Sequence, residues 1–545
     1  MTGEVLAMRS SDATTKSIPV EKNGEYVADI IGIGHEGEGV GRVDGFTLFI
    51  HGALPGEQVL VRVVKVKKQF GYGKLLKVIR ESAERVEAPC PIYKQCGGCQ
   101  LQHLSYEGQL KYKRQTVVDS LERIGKLVVQ REGQDQIQDP MQDRMQDPMQ
   151  DRMQDRMQDP MQDPMQDPMQ DPMQDQIQDQ IQDQIQDQDC IHGQDRIQEG
   201  QGIIVHPTIG MAEPWRYRNK AQVPFAQVEG GLIAGFYAQG SHRIIDMDTC
   251  LIQHEQNDEV IRRVKSISRE IGITAYDETT QKGLLRHVVV KIGFRTGEMM
   301  LVLVTNGEKI PQSERLVSRI REALPNVKSI CHNVNRQKTN VIFGDKTKVL
   351  WGSEVIHDYI GDIRFAISAR SFYQVNPIQT EVLYQKALDY AGLTGSETVI
   401  DAYCGIGTIS LFLAKNARHV YGVEIIEEAI ADARRNAELN DLHNVSFAVG
   451  KAEEVIPAWR AEGIVPDVIV VDPPRKGCEP ELLETMLEMR PARIVYVSCN
   501  PATLARDLSR LVEGGYVVTE AQPVDMFPHT VHVETVALLK LNNTG

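Results

Sequence analysis

The segment Val399–Leu413 reads VIDAYCGIGTISLFL. An apolar run, an acid at Asp401, a glycine pair at Gly405 and Gly407, and a helical apolar pattern follow one another. That order spells a strand, a tight turn and the start of a helix. Glycines let a backbone approach a ligand closely, and the open N–H groups of a helix start favour electron-rich atoms. The spacing Gly-Ile-Gly-Thr is shorter than the GxGxxG of dinucleotide-binding turns, so the turn taken alone also suits an ordinary strand-to-helix connection.

Downstream segments extend the pattern. Val420–Ile425 (VYGVEI) reads as a second strand ending near Glu424, an acid placed about 20 residues past the glycine turn, where ribose hydroxyls are bound in such folds. Val468–Asp472 (VIVVD) is a third strand and runs into Pro473-Pro474-Arg475. Ile494–Val497 (IVYV) is a fourth and runs into Ser498-Cys499-Asn500-Pro501. Strands alternating with helical stretches predict a parallel sheet, which binds ligands at the carboxyl ends of its strands. Asp401, Glu424, Asp472 and Cys499 all fall on that one edge.

Five ordered motifs carry a family likeness: Phe372-Tyr373-Gln374-Val375-Asn376-Pro377, DAYCGIGT, VDPPRKG, VSCNP and His529-Thr530-Val531-His532-Val533-Glu534. Together they resemble the S-adenosylmethionine-dependent RNA uracil-5-methyltransferases. The resemblance implies a C-terminal Rossmann-like methyltransferase domain over residues 371–545. It makes Cys499 the nucleophile and Glu534 the base, and it matches Gln374, Tyr403, Glu424 and Asp472 to cofactor positions. Gln374 is expected at the methionine carboxylate and Glu424 at the ribose, with Asp472 facing the cofactor or the uracil. Phe372 is a candidate for stacking near a flipped base.

The chemistry explains the residue types. Carbon 5 of uracil is a poor nucleophile. A thiolate adding at carbon 6 makes an enolate whose carbon 5 attacks the methyl group, and a base then removes the carbon 5 proton so that the thiol is expelled. One cysteine, one base and a sulfonium cofactor suffice. An amino-group methyltransferase would carry an aromatic after Asp-Pro-Pro, where Arg475 stands here. An RNA cytosine-5 enzyme would place its nucleophile directly after the prolines, whereas Cys478 lies four residues beyond Pro474 and reads as structural. A non-catalytic RNA-binding protein would need neither Cys499 nor Glu534.

A chain of 545 residues is too long for one core. Its content, 41% hydrophobic and 25% charged, is that of a globular protein. An apolar signal segment and long apolar runs are lacking, which predicts a soluble, cytoplasmic protein with no membrane partner, read here as a monomer. The net charge of −15 opposes RNA binding at first sight, but residues 134–189 hold fifteen Asp and three Arg and account for most of it.

Residues 18–80 show short alternating strands at Tyr26–Ile31, Gly39–Val43, Thr47–Ile50, Gln58–Lys67 and Gly73–Ile79, separated by turn signals. This spacing predicts a small barrel. Residues 61–80 carry seven Arg or Lys and no acid, with Phe70 and Tyr72 among them, a pattern that neutralises phosphates and stacks on bases. With Gly34–Gly41 (GHEGEGVG), the segment resembles a TRAM domain, an OB-like RNA-binding module.

Cys90, Cys96 and Cys99 follow in Cys-x5-Cys-x2-Cys spacing. Nine cysteines in an intracellular chain argue for metal or catalytic use over disulfides. Three thiolates need a fourth ligand, and the spacing leaves zinc and an iron–sulfur cluster both open. The family resemblance names Cys250 as the fourth ligand and a 4Fe-4S cluster as the group. The TRAM-like barrel and the four cysteines resemble the branch that acts on 23S rRNA, with tRNA as the alternative substrate.

The long gap before Cys250 holds an acidic repeat of Gln-Asp-(Pro, Arg or Gln)-(Met or Ile), within an insert over residues 134–202. Six prolines in the repeat forbid a continuous helix there, and its composition predicts disorder. Cys190, just past the repeat, is not expected to ligate the cluster. Residues 81–133 and 203–370 read as a central mixed α/β domain, with strands at Val223–Val228, Gly235–Ala238, Val288–Phe294 and Met299–Thr305 and helices at Val260–Ile271 and Ser313–Ala323. Trp215–Lys220 (WRYRNK) mixes aromatics with three basic residues and is expected to touch RNA.

Overall fold

The computed structural model describes residues 18–130, 202–229, 231–339 and 341–542. The acidic repeat and Cys190 lie outside the described residues. The chain forms two compact units that divide between Val86 and Glu87.

The first unit is a closed barrel of β1 (Glu25–Ile33), β2 (Gly39–Val43), β3 (Phe46–His51), β4 (Gln58–Val66) and β5 (Phe70–Arg80), in the order β1-β2-β3-β5-β4. Alternation decides its inside: Val59, Val61 and Val63 are fully buried, while Arg62 and Val64 between and beyond them face out. Closure leaves no open sheet edge. The buried Glu57 carboxylate accepts two hydrogen bonds from Arg85, at 2.5 and 2.8 Å. Phe70 departs from the expectation of a base-stacking ring. It is 2% exposed and packs edge-on against Phe49 at 5.5 Å, whereas Tyr72 stays half-buried. An apolar ring beside a forming barrel core gains more from burial than from water.

The second unit begins with α1 (Tyr106–Arg123) and the short β6 (Ile204–Val205). A central sheet follows, made by β7 (Lys220–Val228), β8 (Gly231–Ala234), β9 (Leu285–Ile292), β10 (Met299–Thr305), β11 (Val327–Val334) and β12 (Lys346–Gly352), with α2 (Glu255–Ile271) and α3 (Ser313–Ala323). Its order is β12-β11-β10-β9-β7-β8. One face, with Val223, Val288, Val290 and Leu301, packs on Val260, Val264, Leu316 and Ile320 of α2 and α3. The other, with Val289, Met300, Val302 and Val304, joins the core of the C-terminal domain. The strand expected at Gly235–Ala238 lies earlier, at Gly231–Ala234. A side chain at Gly235 would stand 1.8 Å from the Ile245 carbonyl oxygen, so the chain bends away there and pairs only through single bridges.

A hairpin of β13 (Val355–Ile360) and β14 (Ile363–Ser368) leads into the C-terminal domain. There α4 (Pro377–Ala391), β15 (Thr398–Ala402), α5 (Thr408–Ala414), β16 (His419–Glu424), α6 (Glu427–Leu439), β17 (Val445–Val449), α7 (Ala452–Ala461), β18 (Val468–Val471), α8 (Pro480–Met489), β19 (Arg493–Ser498), α9 (Pro501–Glu513), β20 (Tyr516–Val524) and β21 (Glu534–Leu541) alternate. Two Asn-Pro pairs start helices: Asn376 accepts from the Gln379 N–H and Asn500 from the Ala502 N–H, with Pro377 and Pro501 at the first helical positions. The sheet runs β17-β16-β15-β18-β19-β21-β20-β6. Strands β17 to β19 are parallel, and β21 is antiparallel to both its neighbours. Among the described residues no helix is long and apolar enough to cross a membrane.

Candidate active site and cysteine site

The strand β15 is buried along its whole length, so its chain direction is fixed by core packing on both faces. It ends in a turn of left-handed residues: Tyr403 at φ 66°, Gly405 at 54° and Gly407 at 81°. A side chain at Gly407 would also press on Phe447 at 3.1 Å, whereas the space around Gly405 is open. A tyrosine held at positive φ is costly and marks a turn over-determined by its surroundings.

Because β16, β15, β18 and β19 are parallel neighbours, Glu424, Asp401, Asp472 and Cys499 line up along one sheet edge, as the sequence implied. Asp401 is fully buried and accepts a 2.5 Å hydrogen bond from Ser410, while its other carboxyl oxygen has no partner. Burial first, then the charges of Asp472 and Glu424, push its carboxyl up to about 7. Burial pushes Asp472 up to about 7 as well. Glu424 is raised by burial and accepts from the N–H groups of Gly405, at 3.3 Å, and Ile426, at 3.1 Å. Gln374 is half-buried, and its carbonyl accepts from Asn219 at 2.9 Å. The Tyr384 hydroxyl lies against the Gln374 side chain and donates to Thr408 at 3.0 Å. Tyr384 was not legible as a site residue, since a tyrosine in an amphipathic helix reads as core.

Cys499 sits at the end of β19 and is half-buried. The Ser498 hydroxyl both accepts from the Asn500 N–H and donates to the Asn500 carbonyl, at 3.1 Å each. The Asn500 amide donates to the Arg475 carbonyl, tying this turn to the one after Pro473-Pro474. The register of β19 on β21 places Ser498 opposite Thr535, so Cys499 comes next to Glu534 across the sheet. Burial, followed by the charges of Glu534 and Asp472, pushes the Cys499 thiol up, and Arg475 opposes them. Glu534 is 7% exposed, and burial with the Asp472 charge pushes its carboxyl up to about 8. Phe372 is 37% exposed, not a core ring, and the Lys220 ammonium stands 5.7 Å from its centre. Cys478 is 4% exposed, and its N–H donates to Asp507.

Far from Cys499 in sequence, Cys90, Cys96, Cys99 and Cys250 line a single cavity with Ile92, Phe236, Met247, Leu251 and Ile252. All four are half-buried and none of them is in a disulfide. Burial and the mutual repulsion of the thiols raise Cys99, and burial pushes Cys250 up to about 12. Among the described residues no three His, Cys, Asp or Glu side chains meet closely enough to hold one metal ion. The WRYRNK stretch turns inward to brace this site. Arg216 donates to the Cys250 and Gln253 carbonyls and pairs with Asp258 at 2.7 Å, while Tyr217 is buried. Only Lys220 of its basic residues stands against an exposed ring.

Residues 278–542 match the tRNA (uracil-5-)-methyltransferase family model, and residues 19–76 match the TRAM domain. An uncharacterized RNA methyltransferase of Halalkalibacterium halodurans is 55% identical over 96% of this chain and 99% of its own length. One from Bacillus cereus is 51% identical over 97% of this chain and 100% of its own. The crystal structure of Pyrococcus abyssi tRNA (uracil-54, C5)-methyltransferase in complex with S-adenosyl-L-homocysteine is 27% identical and superposes with a TM-score of 0.66, covering 94% of this chain and 100% of that one.

Proposed function

The chain belongs to the uracil-5-type RNA methyltransferases that carry a TRAM domain, and on that premise we propose that it methylates carbon 5 of a uridine through a covalent bond to Cys499. The observation that carries this reading is the antiparallel register that sets Cys499 across from Glu534 at the cofactor edge. When bound, S-adenosylmethionine supplies an electrophilic methyl group on a sulfonium. Gln374, Tyr403, Glu424 and Asp472 would hold it. The fit rests on charge: several buried carboxyls with raised pKa values crowd this edge, and a cationic ligand relieves their repulsion. Gly405 leaves open room beside them.

The chain's own groups then act in order. Cys499, as thiolate, adds to carbon 6, with Arg475 offsetting the negative charge around it. After methylation, Glu534 takes the proton from carbon 5, the carbon 5–carbon 6 double bond reforms, and the thiolate leaves. Phe372 offers an exposed face to a flipped base. Release needs ionised Glu534, whose pKa burial pushes up to about 8. In a pH-jump experiment on wild-type adduct trapped before steady state by mixing at acidic pH, decay should therefore accelerate by about tenfold per pH unit from the acid side and level off above that value. A pH-independent decay would remove Glu534 from the step.

The preferred substrate is 23S rRNA, supported by the likeness of the barrel and four cysteines to that branch. The Pyrococcus relative, named for tRNA, favours tRNA as the second reading. Mapping 5-methyluridine in both RNAs from a deletion strain decides between them, and unchanged 5-methyluridine in both would overturn the proposed function.

The four cysteines fit a 4Fe-4S cluster: they are all thiol donors, and they ring an apolar cavity instead of meeting at a point. Anaerobically purified protein should be brown and hold about four irons per chain. Serine at Cys90, Cys96, Cys99 or Cys250 should remove the colour. Zinc in place of iron would refute the cluster.

A further inference from the structure

The loop between β20 and β21 carries His529, five residues before Glu534, and it is gripped from outside the C-terminal domain. Asp525 is buried and receives Lys113 of α1 at 2.5 Å and the Tyr106 hydroxyl at 2.9 Å. Lys113, fully buried, also donates to the Phe527 carbonyl at 3.0 Å. Tyr217 donates to the Pro528 carbonyl at 3.1 Å, and Trp215 stacks on the His529 ring at 3.6 Å and 17°. His529 itself sits at φ 70°, a conformation that persists only where neighbours enforce it.

One side chain joins this loop to the cysteine loop. Gln109 is 1% exposed. Its amide oxygen accepts from the His529 N–H at 2.9 Å. Its amide nitrogen donates to the Leu101 and Leu104 carbonyls at 3.1 and 2.9 Å and lies 3.3 Å from the His529 ring. The N–H groups of Gln100 and Leu101, the two residues after Cys99, both donate to the His529 carbonyl at 3.0 Å. Cys99 is thus separated from the base-bearing loop by a single peptide and its hydrogen bonds.

We propose that Gln109 is a positioning residue for Glu534, and that through it and the Gln100–Leu101 backbone the integrity of the four-cysteine site is transmitted to the proton-removal step. This rests on the reading of Glu534 as the base. A base must stay within hydrogen-bond reach of the proton it takes, and a displacement of 1 Å costs about 100-fold in rate. Addition at carbon 6 depends on the Ser-Cys-Asn-Pro turn, which Gln109 does not touch. Loosening the His529 loop therefore slows release more than addition, and the covalent intermediate accumulates.

The test compares Gln109→Leu, Trp215→Ala and Cys99→Ser with Glu534→Gln, each incubated with S-adenosylmethionine and the RNA that the wild type methylates. Denaturing gels read the adduct, and iron content is read alongside. Gln109→Leu and Trp215→Ala should keep their iron and their KM for RNA, lose about 10- to 100-fold in kcat, and build a denaturation-resistant protein–RNA adduct. Cys99→Ser should build the same adduct without iron. Trp215 is half-buried, so its variant reads the loop even where Gln109→Leu does not fold. Adduct in Glu534→Gln but in neither Gln109→Leu nor Trp215→Ala would overturn the positioning role alone. Adduct in those two but not in Cys99→Ser would sever the link to the cysteine site. No adduct in Glu534→Gln would overturn the base assignment and the proposal with it.

Discussion

Replacing Cys499 with alanine is expected to abolish methylation and every covalent RNA adduct, a loss of several orders of magnitude. No other described thiol can substitute. Cys404, Cys478 and Cys331 are 4%, 4% and 1% exposed, and the remaining described cysteines line the separate cavity around Cys99. The variant should fold, because removing one sulfur from a half-buried turn costs about 1 kcal/mol and leaves the Ser498–Asn500 hydrogen bonds in place. Cofactor affinity should be unchanged. Turnover retained by purified Cys499→Ala enzyme, with transfer of label from S-adenosylmethionine to RNA, would end the covalent mechanism.

Glu534→Gln should fail later in the same cycle. Glutamine matches the shape of the buried glutamate but cannot take a proton at this site, so addition and methylation proceed while release slows by about 100- to 10,000-fold. A methylated protein–RNA adduct should survive denaturation, absent from wild type at steady state. A second signature separates this from general damage. The Glu534 charge is the largest electrostatic influence raising the Cys499 thiol. Removing it should lower the pH at which a small alkylating agent modifies Cys499. An unmoved alkylation profile together with a missing adduct would show that Glu534 does not face the nucleophile.

Much of the site was written locally. Val399–Leu413 specifies strand, turn and helix because each signal lies within a few residues of the next: an apolar run, two glycines at positive φ, then helical periodicity. The Asn-Pro pairs start helices where they stand, and the alternation of residues 58–66 makes a barrel strand. The parallel order of four such units then brings Glu424, Asp401, Asp472 and Cys499 to one edge.

What the residues could not reveal is which side a side chain takes and which distant partner it meets. Phe70 and the WRYRNK stretch look like RNA-facing chemistry, yet the structure turns most of it inward, because stacking rings and long cationic stems also pack well against a core. Lysine is a residue type that usually stays in water, yet Lys113 pairs with Asp525, 412 positions away, at a site where neither side chain meets water. Glu534 taken alone is an ordinary charge, and only the motif resemblance singled it out. Its place opposite Cys499 exists only because β21 inserts antiparallel beside β19. The sequence by itself therefore determined the local elements and the set of reactive groups, since both follow from short-range sterics and hydrophobic period. The tertiary structure alone decided the placing of Cys499 beside Glu534 and the grip of α1 on the His529 loop, since strand register joins segments tens of residues apart and the buried Lys113–Asp525 pair joins groups 412 apart.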